Sequence, residues 1–496
     1  MSLRTFSAMN LRRDQKLVVA VVYVAAMFMA IMDSTIVNVA LPTLGRDFRT
    51  PADGVDLVSV AFLVSLAVFI PVSGWLGDRL GGRRTLLGAI GVFTIASALC
   101  GLSASMTELV AFRVLQGAGG GLMTPVGLSM LFRVFPPAER VRAASILVVP
   151  TALAPASGPV LGGLFTTELS WRWVFFVNVP IGAAALAFGA LLLADHAQPS
   201  PGRLDVPGFL LSGLGLGSFM YGVSEGPVKG WTSAPVLATM AIGAALLAAM
   251  VAVELRVPRP LIDLRLFSDR LFRATTGVFV LGSIAFLGAL YLAALFLQDG
   301  LGLSALQSGL TIFPQALGVM AGSQVVTRLL YPALGPRRIM TGALLLVTAT
   351  LLALAQVTAG TSLWLVRLIM LIFGVGMSGV FIPAQAASFA TISRARTGRA
   401  SSVFNAGKQL GGALGVALLT TVLAGIGPVR HVAGRVAVDL TAYHGSFLAA
   451  AVVTVIAAGV ALTVPDADAA ATMVPRRRRG AVEPESREPA YPARGT

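Results

Sequence analysis

Apolar stretches long enough to cross a lipid bilayer recur along almost the whole chain, and they constrain its fold more than any other feature. A helix needs roughly 20 predominantly apolar residues to cross the hydrocarbon core. Segments of this length are stable there only as helices, which satisfy their backbone hydrogen bonds internally. The stretches that meet this requirement are 17–41, 57–77, 86–104, 108–132, 142–165, 173–194, 206–226, 235–254, 274–297, 307–327, 339–357, 362–388, 401–425 and 446–464. The sequence therefore predicts an all-α polytopic membrane protein with 14 transmembrane helices.

The composition is typical of a protein that lies mostly in lipid. Hydrophobic residues make up 56% of the 496 residues. Charged residues make up 12%, about half of the roughly 25% usual in soluble domains. Cys100 is the only cysteine and the three histidines are far apart, so neither a disulfide nor a metal site is expected. The net charge of +15 comes from short basic runs between apolar stretches, which is typical of loops beside an anionic membrane and not of a nucleic-acid interface.

The basic residues also predict the orientation. With the N-terminus inside, cytoplasmic loops and tails hold 28 of the 37 Lys and Arg residues, and the outer loops hold 6. Because cytoplasmic loops are generally the more basic, both termini are expected in the cytoplasm. The two longest cytoplasmic connections divide the spans into six, two and six. We therefore expect a six-helix bundle over 1–196, two linker helices over 197–262, a second six-helix bundle over 263–465, and a disordered basic cytoplasmic tail over 466–496.

The two six-span blocks share a pattern. Arg113 and Arg367 each lie in a fourth span, and each precedes glycines and a proline. A basic loop also follows the second span of each block. Duplicated halves of transporters leave such internal similarity, and their binding site lies between the halves near the middle of the membrane.

Asp33 is the most informative residue because it is a carboxylate inside the first span. An acid at such a position costs roughly 2.5–3.5 kcal/mol on insertion scales, so it is usually kept for a function. Between Asp299 and Asp439 there is no acidic residue at all, which leaves Asp33 as the candidate proton carrier. The alternative is a structural Asp that caps a helix or pairs with a nearby Arg.

Arg113 and Gln116 lie three residues apart in the fourth span and therefore share one helix face. A guanidinium group at that depth must face protein or water, where it can change the protonation of a carboxyl group across the bundle. The alternative is a packing role through backbone carbonyls. The sequence does not decide whether Arg113 pairs with Asp33.

The loop 74–84 joins the second and third spans and is rich in glycine and in charge. Its glycines allow a tight turn, and Asp78 can accept hydrogen bonds at a helix end or pair with arginines. This pattern indicates a latch on the cytoplasmic side, and the alternative is that the arginines only set the topology. The residues assigned to this gating loop are Gly74, Asp78, Arg79, Gly81, Arg83 and Arg84.

Small residues recur at four-residue spacing in the fifth and thirteenth spans. In the fifth span the stripe is Ala154, Gly158 and Gly162. Pro159 is expected to bend this helix because it has no backbone N–H to donate. The thirteenth span repeats the spacing with glycines beside Lys408. Such stripes let helices approach closely, either as ordinary packing or as an interface between moving halves.

Nothing in the sequence indicates a nucleotide-hydrolysing domain or an enzyme. The stretch 374–379 matches a dinucleotide fingerprint, but it lies inside an apolar span with no strand before it. No second carboxylate, histidine or nucleophile accompanies Asp33. Active transport would therefore depend on an ion gradient and no cofactor, and the membrane potential supplies ~2.3 kcal/mol per charge per 100 mV.

Four stretches carry a resemblance to a known family: 32–42, 74–84, 113–121 and 154–163. Over about residues 17–464 they make the chain similar to the major facilitator superfamily, specifically to its fourteen-span drug/proton antiporter family. The first stretch, MetAspSerThrIleValAsnValAlaLeuPro, resembles the first-span motif of the fourteen-span exporters, and the second resembles the superfamily loop motif. The third resembles the fourth-span motif associated with proton coupling, and the fourth resembles the antiporter motif, which implies export.

The resemblance implies roles for these residues. Asp33 would be the protonation site, with Arg113 and Gln116 as its coupling partners, and the loop 74–84 would be the gating latch. The antiporter motif, which would set a helix bend, consists of Gly158, Pro159, Gly162 and Gly163. Relatives that export dications usually hold extra membrane acids in the second half. This chain has none there, so monovalent cations, neutral amphiphiles or anions are the expected substrates.

The leading interpretation is a proton-driven exporter of amphipathic drugs, antibiotics or metabolites across the bacterial cytoplasmic membrane. Its partners would be small substrates, protons and membrane lipids, and a monomer is expected to function. The alternatives are a lipid flippase of the same fold and a proton-coupled uptake symporter, which the antiporter motif disfavours. The candidate cavity residues are aromatic, Met or amide side chains in or beside the spans: Tyr23, Met27, Asn38, Phe286, Tyr291, Gln315 and Gln385.

Overall fold

The computed structural model describes residues 3–50, 52–194, 204–257, 260–427, 429–432 and 435–473. Helices dominate these residues, as expected for segments that satisfy their backbone hydrogen bonds without water. The α-helices are α1 Leu3–Asp47, α2 Ala52–Leu80, α3 Gly82–Leu102, α4 Met106–Val134, α5 Arg140–Leu164, α6 Trp173–Phe176, α7 Asn178–Leu192, α8 Val206–Lys229, α9 Ala234–Glu254, α10 Arg270–Leu295, α11 Ala305–Ile312, α12 Pro314–Val325, α13 Tyr331–Leu354, α14 Leu363–Ser388, α15 Thr397–Ile426 and α16 Leu440–Ala461. The shorter elements are 3-10 helices at Pro137–Glu139, Leu264–Ser268, Arg394–Arg396 and Asp466–Thr472, and π-helical turns at Phe165–Leu169, Phe296–Gly300 and Val326–Leu330.

The prediction of a multi-pass helical membrane protein is confirmed. Within the described residues, 11 helices are long and apolar enough to cross a membrane, and up to 12 if a pair of helices bent by 116° counts as one further span. That pair is Met106–Val134 and Pro137–Leu147. One of the 11 segments, Leu306–Leu354, is 49 residues long. Gly335 lies inside this segment with a φ of 77°, which interrupts the helical geometry.

Two groups of helices pack mainly among themselves. One consists of α1–α7 and the other of α10–α16, while α8 and α9 pack together as a pair. The pair lies against both groups, because α8 contacts α2 and α15 through a small apolar cluster that contains Ala67, Leu216 and Met220. The predicted boundary at 196 lies outside the described residues, and the division into four domains stays a prediction.

The two halves share buried apolar residues at one end of the bundle. We call it the basic end because the Arg-rich loops 77–84, 133–142 and 334–338 lie there, and we call the opposite end the outer end. At the basic end one apolar cluster includes residues of both halves, and the rings of Phe132 and Phe389 are 4.7 Å apart. At the outer end each half has its own apolar cluster. Packing between the halves therefore closes the basic end.

The connection between α15 and α16 departs from the all-α prediction. It contains two short antiparallel strands, β1 Val429–Val432 and β2 Arg435–Val438, with Val429 opposite Val438. Valine occupies 4 of these 8 positions, and its branched side chain favours an extended backbone. The hairpin is too short to change the fold class, so the all-α prediction stands.

The prediction of a disordered tail over 466–496 is wrong for its first residues, 466–473. Asp466–Thr472 is a 3-10 helix that packs at the basic end. The hydroxyl groups of Tyr331 and Thr472 are 2.7 Å apart, and the backbone N–H of Arg337 donates to Asp466 Oδ1 at 2.8 Å. These residues are ordered because α13 supplies partners for them. The rest of the predicted tail, 474–496, lies outside the described residues.

The helices α12 and α14 cross with direct contact between their backbones. Gly318 faces the carbonyl oxygen of Leu371, and Gly374 faces the carbonyl oxygen of Gln315. A Cβ atom at either glycine would overlap the oxygen that it faces. Small residues at such crossings let membrane helices approach closely. The stretch 374–379, which matches a dinucleotide fingerprint, therefore begins at a helix-packing contact.

We expect Gly374→Ala to lower the melting temperature of the detergent-solubilised protein. Overpacking a tight contact costs roughly 1–3 kcal/mol, and here the added methyl group would meet backbone atoms, which cannot rotate away. Gly342→Ala on α13 is the matched control, because nothing lies within 4 Å of its Cβ position. Thermal unfolding curves compare the two variants, and equal melting temperatures would contradict the backbone contact.

Candidate functional site

Asp33 on α1 and Arg113 on α4 form a fully buried ion pair. Arg113 Nη1 donates to Asp33 Oδ2, and the side chains of Arg113 and Asp33 are 1% and 0% exposed, respectively. The other carboxylate oxygen, Oδ1, accepts from Gln116 Nε2 at 2.8 Å and from Asn178 Nδ2 at 3.0 Å. Side chains from α4 and α7 thus converge on one carboxylate of α1, and the three predicted coupling residues lie in one network.

Ser97 on α3 completes this network. Its hydroxyl oxygen accepts from Gln116 Nε2 and from Asn178 Nδ2, both at 3.1 Å, and the hydroxyl donates to the carbonyl oxygen of Phe175 at 2.9 Å. These bonds hold both amide side chains so that their N–H groups point toward Asp33. The carboxylate is therefore bound by donors whose own orientation is fixed.

Arg113 has a second set of contacts. Its Nε donates to the carbonyl oxygen of Val58 on α2 at 3.0 Å, and its Nη1 donates to Gln116 Oε1 at 2.8 Å. Its guanidinium group also lies 4.2 Å from the centre of the Phe62 ring. Arg113 therefore contacts both an acid and a backbone carbonyl, so its geometry fits each of the two roles considered for it.

The ion pair is sealed from the outer end. An apolar cluster of the first half that includes Val37, Leu44, Trp171 and Phe175 packs there. Removing two charges from water costs about as much free energy as their attraction returns, so a buried ion pair adds little net stability. Stability alone therefore does not explain why this pair is present. Asp33 has no exposed surface, so solvent does not contact its carboxylate in this conformation.

The sequence patterns that identify Asp33, Arg113 and Gln116 do not identify Asn178 or Ser97. The sequence does contain one indication of Asn178, because it is an amide side chain within the apolar stretch 173–194. A polar side chain in a span usually faces a partner inside the bundle. Serines are too frequent in these spans for Ser97 to be singled out.

The loop after α2 meets the second half at the basic end. Asp78 Oδ1 accepts from Arg133 Nη2 at 2.6 Å and lies beside Gly398 in the first turn of α15. A helix N-terminus stabilises a nearby negative charge. Ser73 Oγ and Ser402 Oγ, which belong to opposite halves, are 3.0 Å apart. This loop therefore contacts α15 of the second half, and its role as a latch stays a prediction.

Two glycines of the loop have identifiable roles. A Cβ atom at Gly74 would lie 3.0 Å from the backbone of Gly398, so the absence of a side chain allows α2 and α15 to meet. Gly81 precedes α3 with a φ of 87°, a conformation that L side chains rarely adopt. The turn between α2 and α3 thus depends on glycine.

The arginines of the loop contact the first half. Arg83 Nη2 donates to the carbonyl oxygen of Ala190 on α7 at 2.6 Å. The Arg79 guanidinium lies 6.0 Å from the centre of the Trp75 ring, and the side chain of Arg84 is exposed. These contacts of Arg79 and Arg83 hold the loop to its own half, while Asp78 faces the seam.

Gly158 and Gly162 bring α5 against α1. A Cβ atom at Gly158 would overlap the side chain of Thr35, and one at Gly162 would lie 3.0 Å from the carbonyl oxygen of Ile36. Thr35 and Ile36 follow Asp33 by two and three residues. The small-residue stripe therefore packs on the part of α1 that carries the buried acid.

The bend predicted at Pro159 stays a prediction. Arg140–Leu164 is one uninterrupted helix, and the side chain of Pro159 lies outside the described residues. Gly163 has nothing within 4 Å of its Cβ position, so it takes no part in the contact with α1.

The predicted cavity residues do not share one surface. Tyr23 and Met27 are buried in the apolar cluster of the basic end. Phe286 is buried in the second half, with its ring centre 6.1 Å from that of Phe373 and 5.4 Å from that of Phe381. These three side chains therefore belong to the packed interior of the two halves.

The remaining candidates differ in exposure. Gln315 on α12 is buried, and its Nε2 has no partner among the described residues. Gln385 is half-buried, and Tyr291 is exposed. Asn38 is exposed and accepts a hydrogen bond from Ser59 at 2.9 Å. The seven positions thus do not form a single lining.

The described part of the second half has no counterpart of the buried ion pair. Arg367 matches Arg113 in the sequence pattern, but its guanidinium lies 4.6 Å from the centre of the Trp364 ring. Trp364 is 74% exposed, so this contact lies at the surface. No described acidic residue forms an ion pair with Arg367.

A family model described as the Major Facilitator Superfamily matches residues 23–416. The chain is 34% identical over 406 residues to "Multidrug resistance protein B homolog" of Mycobacterium tuberculosis, covering 81% of this chain and 75% of that protein. It is 32% identical over 397 residues to "Tetracenomycin C resistance and export protein" of Streptomyces glaucescens, covering 80% and 74%. It is 32% identical over 461 residues to "Putative multidrug resistance protein MdtD" of Cronobacter sakazakii, covering 92% and 96%.

Among solved structures, the fold is similar to that in "Crystal structure of the human organic anion transporter MFSD10 (TETRAN)". The TM-score is 0.65 at 17% sequence identity, and the match covers 91% of this chain and 99% of that chain. At this identity the likeness concerns the fold alone.

We expect Asp33→Asn to destabilise the protein, because it leaves the charge of Arg113 buried without its partner. Removing one member of a buried ion pair costs about 3–5 kcal/mol. The double variant Asp33→Asn/Arg113→Gln should recover much of that loss. Thermal unfolding of the two single variants and the double variant gives the coupling energy.

The control cycle pairs Asp33 with Arg83, whose described contact is at the basic end with α7. This cycle should show additive effects, because distant sites without shared partners rarely couple. Additive effects for Asp33 and Arg113 as well would contradict the ion pair.

Proposed function

The chain belongs to the major facilitator superfamily, and on that basis we propose that it is a proton-coupled antiporter that exports amphipathic compounds by alternating access. The observation that carries the proposal is the buried ion pair of Asp33 and Arg113, with Gln116 and Asn178 as further donors. A proton that neutralises Asp33 removes the attraction between α1 and α4. Asp33 is thus the proposed proton carrier, and Arg113 and Gln116 are the groups that respond to its charge.

The proposal includes fourteen spans. The 49-residue segment Leu306–Leu354 would be about 74 Å long as one helix at 1.5 Å per residue, more than twice the roughly 30 Å of the hydrocarbon core. Gly335 divides it, so it is counted as two spans. The helices α4 and α5 have 29 and 25 residues and are joined by a sharp bend, which supports two further spans.

The basic end is assigned to the cytoplasm. The loops at this end are rich in arginine, and loops of this kind generally remain inside. Both termini then lie in the cytoplasm, and the membrane is the cytoplasmic membrane of a bacterium. The bacterial relatives support this location.

The contacts between the halves support alternating access. At the basic end Arg140 of α5 donates to the carbonyl oxygen of Phe389, in addition to the contact between Ser73 and Ser402. At the outer end the apolar clusters of the two halves are separate. This is the arrangement expected of a transporter closed to the cytoplasm, and opening inward requires the contacts at the basic end to break.

Export is the proposed direction. The relatives carry names that refer to multidrug resistance and to tetracenomycin resistance and export, which supports export over uptake. The second half has no acidic residue between Asp299 and Asp439, so dications are poor candidates. The proposed substrates are amphipathic drugs, antibiotics or metabolites, moved by a monomer at the expense of the proton gradient and without a cofactor.

We expect Asp33→Asn to abolish substrate-driven proton movement. Everted membrane vesicles are acidified by respiration, and a quenched dye reports the gradient while aromatic acids, neutral quinones and monovalent lipophilic cations are added in turn. Compounds that discharge the gradient with the unaltered protein should have no effect with the variant, because an amide cannot carry the proton. Asp33→Glu keeps a titratable group and should retain part of the response.

The matched control is Asp299→Asn, which removes an exposed carboxylate in the π-helical turn after α10. With this variant, at equal protein levels in the membrane, the same compounds should discharge the gradient as they do with the unaltered protein. A response of Asp33→Asn equal to that of the unaltered protein would overturn the role of Asp33. If no compound moves protons while a labelled phospholipid is transferred between leaflets, the protein is a flippase instead.

Cross-linking the halves at the basic end should stop transport reversibly. Ser73→Cys and Ser402→Cys replace two hydroxyl groups whose oxygens are 3.0 Å apart, which is compatible with a disulfide. Cys100, the buried cysteine, is first replaced by Ser. Oxidation should block substrate-driven proton movement, and dithiothreitol should restore it.

Each single-cysteine variant is the control for this experiment, because it cannot form the cross-link within one molecule. Transport that continues in fully cross-linked protein would show that the basic end does not need to open.

A further inference from the structure

Lys408 places a cation deep in the membrane part of the second half. It lies in the candidate span Arg394–Ile426, about 16 Å along the axis from the first residue of α15 at 1.5 Å per residue. Because the hydrocarbon core is roughly 30 Å thick and α15 has 30 residues, this position lies inside the core. A lysine there costs roughly 2.5–3.5 kcal/mol on insertion scales, so it usually has a partner.

No described residue supplies that partner. Lys408 makes no ion pair, hydrogen bond or aromatic-ring contact with the part of the chain that the structure describes. The sequence between Asp299 and Asp439 contains no acid. Asp33, the buried acid of the first half, already accepts from three side chains. The charge of Lys408 therefore has no counter-ion within the described residues.

The face of α15 that carries Lys408 is turned toward protein and not toward lipid. Ser401, Asn405, Lys408 and Gly412 follow one another at spacings of four, three and four residues and so share one face. Ser401 and Asn405 are 0% and 5% exposed. Since its neighbours on this face are buried, the half-buried Lys408 faces the inside of the bundle. The hydroxyl of Ser401 also has no partner among the described residues.

A cluster of aromatic rings begins one turn from Lys408 and is buried there. Phe404 precedes it by four residues, and the ring centre of Phe404 is 4.0 Å from that of Phe279. The ring centre of Phe279 is in turn 5.2 Å from that of Phe381, which is only half-buried. Side chains on a helix lean toward its N-terminus. The ammonium group of Lys408 is therefore directed toward the turn of α15 that carries Phe404.

We propose that Lys408 binds the anionic group of an amphipathic aromatic acid, whose rings pack on the half-buried ring of Phe381. An anion supplies the counter-charge that the described residues lack, and a flat apolar body matches the ring surface. A cationic amphiphile would be repelled by the same lysine. The assignment rests on the proposed export function and names the class of substrate that the site takes.

The test compares two probes of nearly the same shape, 2-naphthalenesulfonate and its uncharged counterpart 2-naphthalenesulfonamide. Isothermal titration calorimetry measures their binding to the full chain in phosphatidylcholine nanodiscs, with empty nanodiscs as the blank. The unaltered protein should bind the sulfonate roughly tenfold or more tightly than the sulfonamide, as expected for a charge-assisted hydrogen bond. Lys408→Gln should remove this preference and leave sulfonamide binding unchanged.

Two further variants control for folding and for net charge. Lys408→Arg keeps the cation and should keep the preference for the sulfonate, and a melting curve shows that each variant is folded. Arg367→Gln removes a different cation from the second half, where it lies against an exposed ring. This variant should bind both probes as the unaltered protein does.

Three outcomes would overturn the assignment. They are no binding of either probe, equal binding of the two probes by the unaltered protein, and an undiminished preference in Lys408→Gln. The titration is repeated in nanodiscs that contain phosphatidylglycerol, because a lipid head group is another source of an anion. If this lipid removes only the part of the binding that depends on Lys408, the site holds a lipid and the assignment to a soluble acid is wrong.

The titration is independent of proton coupling because it needs no gradient. If other compounds discharge the gradient through Asp33 but the titration shows no charge preference, the antiport function stands and this assignment falls. If the sulfonate binds through Lys408 but no compound moves protons, the assignment to an anion stands and the antiport function falls.

Discussion

The ion pair of Asp33 and Arg113 is the interaction on which the interior of the first half depends. Two opposite charges in a low dielectric must be surrounded by groups that satisfy their remaining donors and acceptors. Five helices meet this requirement: α1 and α4 carry the charges, α2 supplies a carbonyl, α3 a hydroxyl and α7 an amide. The glycine stripe of α5 packs two residues further along α1. A change in the charge of the Asp33 carboxylate therefore alters the interactions of most helices in the first half.

The two halves resemble each other in sequence pattern and differ in chemistry. The first half holds its arginine against an acid, whereas Arg367 stacks on a ring at the surface. The second half instead holds Lys408, which has no partner among the described residues. In the proposed cycle this asymmetry separates two binding events. The proton binds within the first half, and the charged end of the substrate binds to the second half. The seam between α2 and α15 at the basic end connects the two events.

The sequence predicted the features that depend on local composition. The apolar segments fall on helices because the length of a hydrophobic stretch alone decides whether it can span a bilayer. Asp33, Arg113 and Gln116 stand out because charge inside a span is rare, and they do meet in one network. The cavity residues were not predictable in the same way, since a helix that is apolar all round gives no sign of which face is inward. The hairpin after α15 and the ordered segment Asp466–Thr472 depend on local backbone pairing and on partners far away in sequence, which composition does not reveal.

The 3-10 helix Asp466–Thr472 lies where the two halves meet. It is hydrogen-bonded to α13 of the second half and also contacts Pro137–Glu139 of the first half. If the halves rock apart at this end, the segment must stay with one half and lose its contact with the other. The chain beyond Met473 therefore starts beside the seam between the halves. A bulky domain fused directly after Met473 will favour the conformation that gives it room, so this position is not a neutral place for a purification tag or a fluorescent reporter.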